Sequence, residues 1–140
     1  MEVGIADISL NISNMTIIYI EDNMFNQFVF KEILDDYYTI KIFDSGEDFL
    51  KSYKYDRDSY DDSCLFVIDL NLGHLQMRGE DLLGHLNEID CFKRAPKIAY
   101  TAYAYNQSEV EKIISQGFNI CLPKPANKEQ LLRVLKKFTS

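Results

Sequence analysis

Five acidic, hydroxyl and amine positions in this 140-residue chain could act together on a hard cation or a phosphoryl group, and each ends or follows a short apolar run. Glu21 and Asp22 follow Thr16-Ile-Ile-Tyr-Ile20, and Asp69 follows Leu65-Phe-Val-Ile68. Thr101 follows the run from Lys97 to Tyr100, and Lys124 comes just after Leu122-Pro123. Carboxylates brought to one place repel each other, and protonation, a basic neighbour or a hard divalent cation relieves the repulsion. An oxygen-only set without thiol or imidazole favours Mg²⁺ or Mn²⁺ over zinc. A carboxylate beside such a cation can attack phosphorus and become an acyl phosphate. A lysine amine and a threonine hydroxyl can bind the phosphoryl oxygens as charge spreads over them. Each residue alone has an ordinary structural explanation, as a cap, a turn or a solvated loop. The signal lies in the ordered set.

The elements that would position these residues are legible in the punctuation. Apolar, β-rich runs at Thr16 to Ile20, Thr39 to Phe43, Leu65 to Ile68, Lys97 to Tyr100 and Phe118 to Leu122 read as five strands. Amphipathic stretches lie between them. Asn23 caps a helix over about residues 24–37, with Phe25, Phe28, Val29 and Ile33 on one face. Ser45 with Asp48 opens a short helix through Tyr53, after which Tyr55 to Ser63 is a polar loop. Leu82, Leu83, Leu86 and Ile89 mark a third helix. Ser108 with Glu111 opens a fourth, with Ile113 and Ile114 inward and Gly117 as its stop. Asn127 with Gln130 opens the last, with Leu131, Val134, Leu135 and Phe138 inward. Short apolar strands alternating with such helices predict a doubly wound α/β fold, a five-stranded parallel sheet with five helices over both faces. In an open α/β sheet, ligands bind beyond the carboxyl ends of the strands, which is where the acid pair, Asp69, Thr101 and Lys124 all fall.

Composition narrows the function classes. Asp and Glu outnumber Lys and Arg by 22 to 15, a net charge of −7. That field disfavours nucleic acid and anionic membranes as partners. It also requires that an anion bound here be held by a metal ion or a specific lysine. Cys64, Cys91 and Cys121 form no CxxC, and with His74 and His85 they complete no zinc pattern. They are expected as reduced, mostly buried thiols. The N-terminus has an acid where a signal peptide needs basic residues, and no apolar run is long enough to span a bilayer, so a cytoplasmic protein without membrane insertion is expected. Residues 1–14, with Ile8, Leu10 and Ile12 alternating with polar residues, read as a leader or linker before a single domain over residues 15–140.

From about Met15 to Phe138 the chain resembles a response-regulator receiver domain of two-component signalling. The matching pieces are Ile-Ile-Tyr-Ile-Glu21-Asp22-Asn23, Leu-Phe-Val-Ile-Asp69-Leu-Asn71-Leu, Gly79 before an acidic-leucine helix, Ala99-Tyr-Thr101-Ala102 and Leu122-Pro-Lys124-Pro125. The stretch from Glu21 to Gln27 is similar to receivers of hybrid histidine kinases. The resemblance implies the flavodoxin-like receiver topology and a phosphorylation site at Asp69. It implies that Asp22 and Asp69 bind Mg²⁺ directly, Glu21 mainly through water and Asn71 by its backbone carbonyl. Thr101 and Lys124 would hold the phosphoryl group, and the Lys124-Pro125 bond would be cis. The implied donor is a histidine kinase or histidine phosphotransfer protein, and the implied output is contact with a downstream protein target. Such a domain is not an enzyme beyond its own phosphorylation and dephosphorylation. No DNA-binding output is expected after Ser140.

Three departures stand out. Cys121 occupies the place, three before the lysine, of the usual aromatic switch residue; the nearest aromatic candidates are Tyr100 and Tyr103. Leu72-Gly73 replaces the usual Met-Pro and opens a longer loop, expected to be more mobile. Tyr103, two residues after Thr101, would shield the phosphoryl group from water. Two other readings compete. An aspartate-nucleophile phosphatase would need a second acid two residues past the nucleophile, and position 71 is Asn. A pseudo-receiver would keep the fold as a phosphorylation-independent interaction module, and the complete set of site residues counts against it.

Overall fold

A computed structural model describes residues 15–71, 77–104 and 106–139. The leader over residues 1–14 and the centre of the loop after Asp69 lie outside them. The described chain runs β1 (Thr16–Ile20), α1 (Met24–Leu34), β2 (Thr39–Phe43), α2 (Gly46–Tyr55), a 3₁₀ turn (Arg57–Ser59) and β3 (Cys64–Ile68). It continues through α3 (Gly79–Leu86), α4 (Asp90–Lys93), β4 (Lys97–Thr101), α5 (Gln107–Ser115), β5 (Ile120–Pro123) and α6 (Lys128–Thr139). The strands form one sheet in the order β2-β1-β3-β4-β5, every pairing parallel. This is the predicted doubly wound, flavodoxin-like sheet. The order steps from β1 outward in both directions, so the crevice opens between the carboxyl ends of β1 and β3.

β3 and β4 are buried at every residue, as central strands covered on both faces must be. Alternate side chains feed two cores. One face packs Ile18, Ile20, Phe66, Ile68 and Ala99 against Phe49, Leu82, Phe92 and Ile113. The other packs Ile17, Tyr19, Leu65, Val67 and Ile98 against Phe30, Leu34, Leu131 and Leu135.

Several caps form as the sequence predicts. The Asn23 side chain accepts from the Asn26 amide and Ser45 from the Asp48 amide. Asn127 and Gln130 bond each other's amides reciprocally at 2.9 and 2.8 Å, a capping box at the head of α6. Gly117 ends α5 with φ +118°, a backbone that L side chains rarely adopt.

Four expectations are corrected. The predicted third helix is two: α3 ends at Leu86 and a single turn, α4, follows, making six α-helices among the described residues. Buried Lys97 explains how the short turn holds, because its ammonium donates to the carbonyls of Phe92, Lys93 and Ala95 at 2.7–3.2 Å. α5 is capped by Asn106, which accepts from the Glu109 amide; Ser108 lies inside the helix. Ile113 is buried, but Ile114 turns outward. Finally, α1 ends at Leu34 and buries Phe30 and Leu34, while Phe25 and Phe28 are exposed. The helix carries more apolar residues than one stripe can bury, so the sheet covers the Phe30–Leu34 line and the Phe25–Phe28 line is left outside.

Gly79 opens α3 directly behind the end of β3. A Cβ there would lie 2.8 Å from Leu70 Cδ2, 3.0 Å from Ile68 Cγ2 and 3.1 Å from the Asp69 carbonyl oxygen. Gly79→Ala is therefore expected to destabilise the domain by about 1–3 kcal/mol through overpacking. Urea unfolding measures it; an unchanged midpoint would show that β3 and α3 can separate freely.

Candidate functional site

The parallel sheet brings its strand ends to one edge, and the predicted residues arrive there with them. Glu21 and Asp22 follow β1, Asp69 follows β3, Thr101 ends β4 and Lys124 follows β5. Backbone bonds fix the spacing: Glu21 N–H donates to Phe43 O, Asp69 N–H to Ile20 O and Lys124 N–H to Thr101 O, at 2.9–3.1 Å. Carboxylate oxygens of Glu21, Asp22 and Asp69 lie within 4.8 Å of one another. They line an open cleft of about 330 Å³ together with Asn23, Asn26, Asn71, Ala102, Tyr103 and Lys124.

Lys124 organises the cleft. Its ammonium lies 2.5 Å from Glu21 Oε1 and 3.3 Å from Asp69 Oδ2. Asn71 N–H donates to Asp69 Oδ1 at 3.1 Å. Burial pushes the Asp69 carboxyl up to about 6, against the pull of the Asn71 amide and Lys124 and with the added repulsion of Glu21. Burial would raise Glu21 too, but its hydrogen bond and ion pair with Lys124, aided by Tyr19 and Asn23, hold it below its ordinary value. Burial opposes the Lys124 charge, yet the bond to Glu21 and the charge of Asp69 raise its pKa. The lysine therefore stays cationic and neutralises part of the acidic set, but one amine cannot offset three carboxylates. The all-oxygen donor set and the residual negative charge fit a hard divalent cation such as Mg²⁺.

Thr101 is placed differently from the rest. It is fully buried and absent from the cleft wall, and its Oγ1 accepts from the Tyr103 amide at 3.0 Å. Asn71 is exposed at the rim. The Lys124-Pro125 peptide is cis, as the resemblance implied. Cys121 is half-buried and packs against the core on the α3 face, where burial pushes its thiol up. Of the two aromatic candidates, Tyr100 is buried and its hydroxyl accepts from the Ala126 amide at 3.1 Å, bracing the loop that carries Lys124.

Two residues that the sequence reading did not assign also build the site. Gln27 ties α1 to the strand ends, donating to the Glu21 carbonyl and to Asp44. Tyr19 O–H donates to Glu21 Oε1 at 2.8 Å. Residues two apart on a strand share a face, which places Tyr19 beside Glu21 without marking the carboxylate as its partner. Burial and the neighbouring Glu21 charge push its phenol far above the usual range, so it remains a donor.

A doubly wound sheet with three carboxylates, a lysine and a threonine at its carboxyl edge defines a class of signalling domain. The family model described as the response regulator receiver domain matches residues 17–136, and the chain belongs to that family, a receiver domain of two-component signalling. Solved structures share the fold. The receiver domain of a Pseudomonas aeruginosa sensor histidine kinase, with a magnesium ion coordinated in its active-site cleft, superposes with a TM-score of 0.73. It is 26% identical, over 90% of this chain and 98% of that one. The receiver of a Vibrio parahaemolyticus LuxO repressor protein gives 0.72 at 24% identity, covering 89% of each chain. A Saccharomyces cerevisiae receiver, solved in complex with its histidine phosphotransfer signaling protein, gives 0.73 at 20% identity, over 91% of this chain and 90% of that one. A search of curated proteins finds no significant match. No helix among the described residues is long and apolar enough to cross a membrane.

Proposed function

We propose that this receiver is a phosphoacceptor in which Asp69 takes a phosphoryl group from a phosphohistidine, and that it acts in the cytoplasm by presenting an altered surface to a downstream protein. The observation that carries the reading is the convergence on Asp69: Lys124 at 3.3 Å, with Glu21 and Asp22 completing a cluster within 4.8 Å. An Asp69 carboxylate oxygen attacks phosphorus in line as the P–N bond breaks. The electron pair of that bond stays on the imidazole, which leaves as a neutral ring when its other nitrogen carries a proton. Asp22, Asp69 and the Asn71 carbonyl would hold a divalent cation directly and Glu21 through water; that ion supplies positive charge against the phosphoryl oxygens. Lys124 moves part of its bonding from Glu21 to a phosphoryl oxygen, and Thr101 rotates its hydroxyl from the Tyr103 amide toward another. That rotation is the population shift that remodels the β4–β5 face. The domain is not an enzyme in the turnover sense; its chemistry is confined to its own phosphorylation and the hydrolysis of that bond.

A phosphohistidine arrives on a protein, so a docking surface must adjoin the cleft. Met24, Phe25 and Phe28 are 80%, 72% and 62% exposed at the head of α1. Beside them lies an apolar groove of about 270 Å³ between α1 and the loop that leads from β5 into α6, which shares Asn26, Ala102 and Lys124 with the acidic cleft. The helices of a phosphotransfer protein or kinase would seat there.

Intact mass after incubation with acetyl phosphate and Mg²⁺ tests the reading. One added phosphoryl mass is expected, absent with a chelator and absent in Asp69→Asn. A parent chain that gains no mass from acetyl phosphate or from any phosphohistidine protein would move the reading to a phosphorylation-independent module.

A further inference from the structure

We propose that Tyr19 is a positioning residue for phosphorylation of Asp69: its hydroxyl keeps Glu21 hydrogen-bonded when Lys124 turns to the phosphoryl group. The inference rests on the phosphoacceptor reading.

Glu21 is 1% exposed and takes three donors. Tyr19 O–H at 2.8 Å and the Lys124 ammonium at 2.5 Å share Oε1, while the Asn23 amide reaches Oε2 at 3.2 Å. The same ammonium stands 3.3 Å from Asp69 Oδ2. A phosphoryl group on Asp69 and the Glu21 carboxylate must therefore compete for one amine. If Lys124 were the sole donor on Oε1, turning part of its bonding to the phosphoryl group would leave that buried oxygen under-bonded, which is costly.

Tyr19 cannot follow the lysine. Its ring is 1% exposed in the interior strand β1 and stacks on Phe30 with centroids 3.9 Å apart. The hydroxyl is consequently a fixed donor, while the Lys124 ammonium ends a long side chain that already reaches both Glu21 and Asp69 and can turn between them. An aliphatic side chain at position 19 would fill the same core but leave Oε1 dependent on the lysine alone. Tyr19 thus lowers the cost of moving the amine without touching the reacting atoms.

Tyr19→Phe keeps the ring and its stacking and removes only the donor. With acetyl phosphate at saturating Mg²⁺, its rate of phosphorylation is expected to fall about tenfold, the scale of one charge-assisted hydrogen bond. Its Mg²⁺ dissociation constant, measured by calorimetry with the metal alone, should stay within about twofold of the parent value, because Lys124 has not yet moved in that state. An unchanged rate overturns the inference. So does a rate loss accompanied by a matching change in Mg²⁺ affinity, which would mean that Tyr19 merely shapes the carboxylate cluster. A parent chain that forms no Asp69 adduct brings down the phosphoacceptor reading itself; a normal parent adduct with an indifferent Tyr19→Phe brings down this inference alone.

Discussion

Phe25→Glu is expected to slow phosphoryl transfer from a phosphohistidine protein about thirtyfold or more while leaving transfer from acetyl phosphate within about twofold. The exposed ring lies at the start of α1, one residue before Asn26, which lines the acidic cleft. A carboxylate in place of a central aromatic anchor removes buried apolar area and adds an unpaired charge, a loss of about 2 kcal/mol or more at such a position. Acetyl phosphate needs no docking surface, so its reaction reports on the chemistry alone. Because Phe25 is 72% exposed, the substitution should leave folding intact. The measurement uses a panel of purified, phosphohistidine-loaded phosphotransfer proteins and follows whichever phosphorylates the parent chain. Equal rates for Phe25→Glu and the parent with that donor would remove α1 from the docking surface. Equal losses with both donors would mean that the ring supports the site rather than the partner.

Asp69→Asn should stabilise the domain by about 2–3 kcal/mol at pH 7.5, even as it abolishes phosphorylation. The Asp69 pKa lies at about 6 in the folded chain against an ordinary 3.8, chiefly because the carboxyl is buried, with Glu21 adding repulsion. The sign follows from proton counting. Between about pH 4 and 6 the folded state holds this proton and the unfolded state does not. Stability contributed by the protonated group is therefore lost as pH rises through that window, and the full cost of the charge is present above it. Roughly two pKa steps at about 1.4 kcal/mol each set the magnitude. The neutral amide removes the cost, so the two stability curves should converge near pH 4, part between about pH 4 and 6, and stay fully apart above that. Chemical denaturation across that range, without divalent cations, measures it. Curves that coincide at pH 7.5 would show that Lys124 and the Asn71 amide already compensate the charge. The same stored repulsion predicts that Mg²⁺ stabilises the parent chain more than Asp69→Asn.

The sequence by itself determined the strand order of the chemistry. Period-two and period-3.6 apolar patterns are local, and so are the caps at Asn23, Ser45 and Asn127, which act within three residues of themselves. Once the strands are parallel, every carboxyl end must meet at one edge, so Glu21, Asp22, Asp69 and Lys124 could be grouped before their contacts were known. What remained hidden depends on choices between comparable local options or on partners far along the chain. Both Asn106 and Ser108 can cap a helix, and the backbone entering α5 selects Asn106. Phe25, Phe28, Phe30 and Leu34 can all be buried, and only the sheet decides which line faces it. Tyr19 reads as another apolar strand residue until Glu21, two residues on, is seen sharing Oε1 with a lysine 103 positions away. Charge sharing of that kind has no local signature, because the energy of an ion pair depends on burial and distance, and tertiary packing alone sets both.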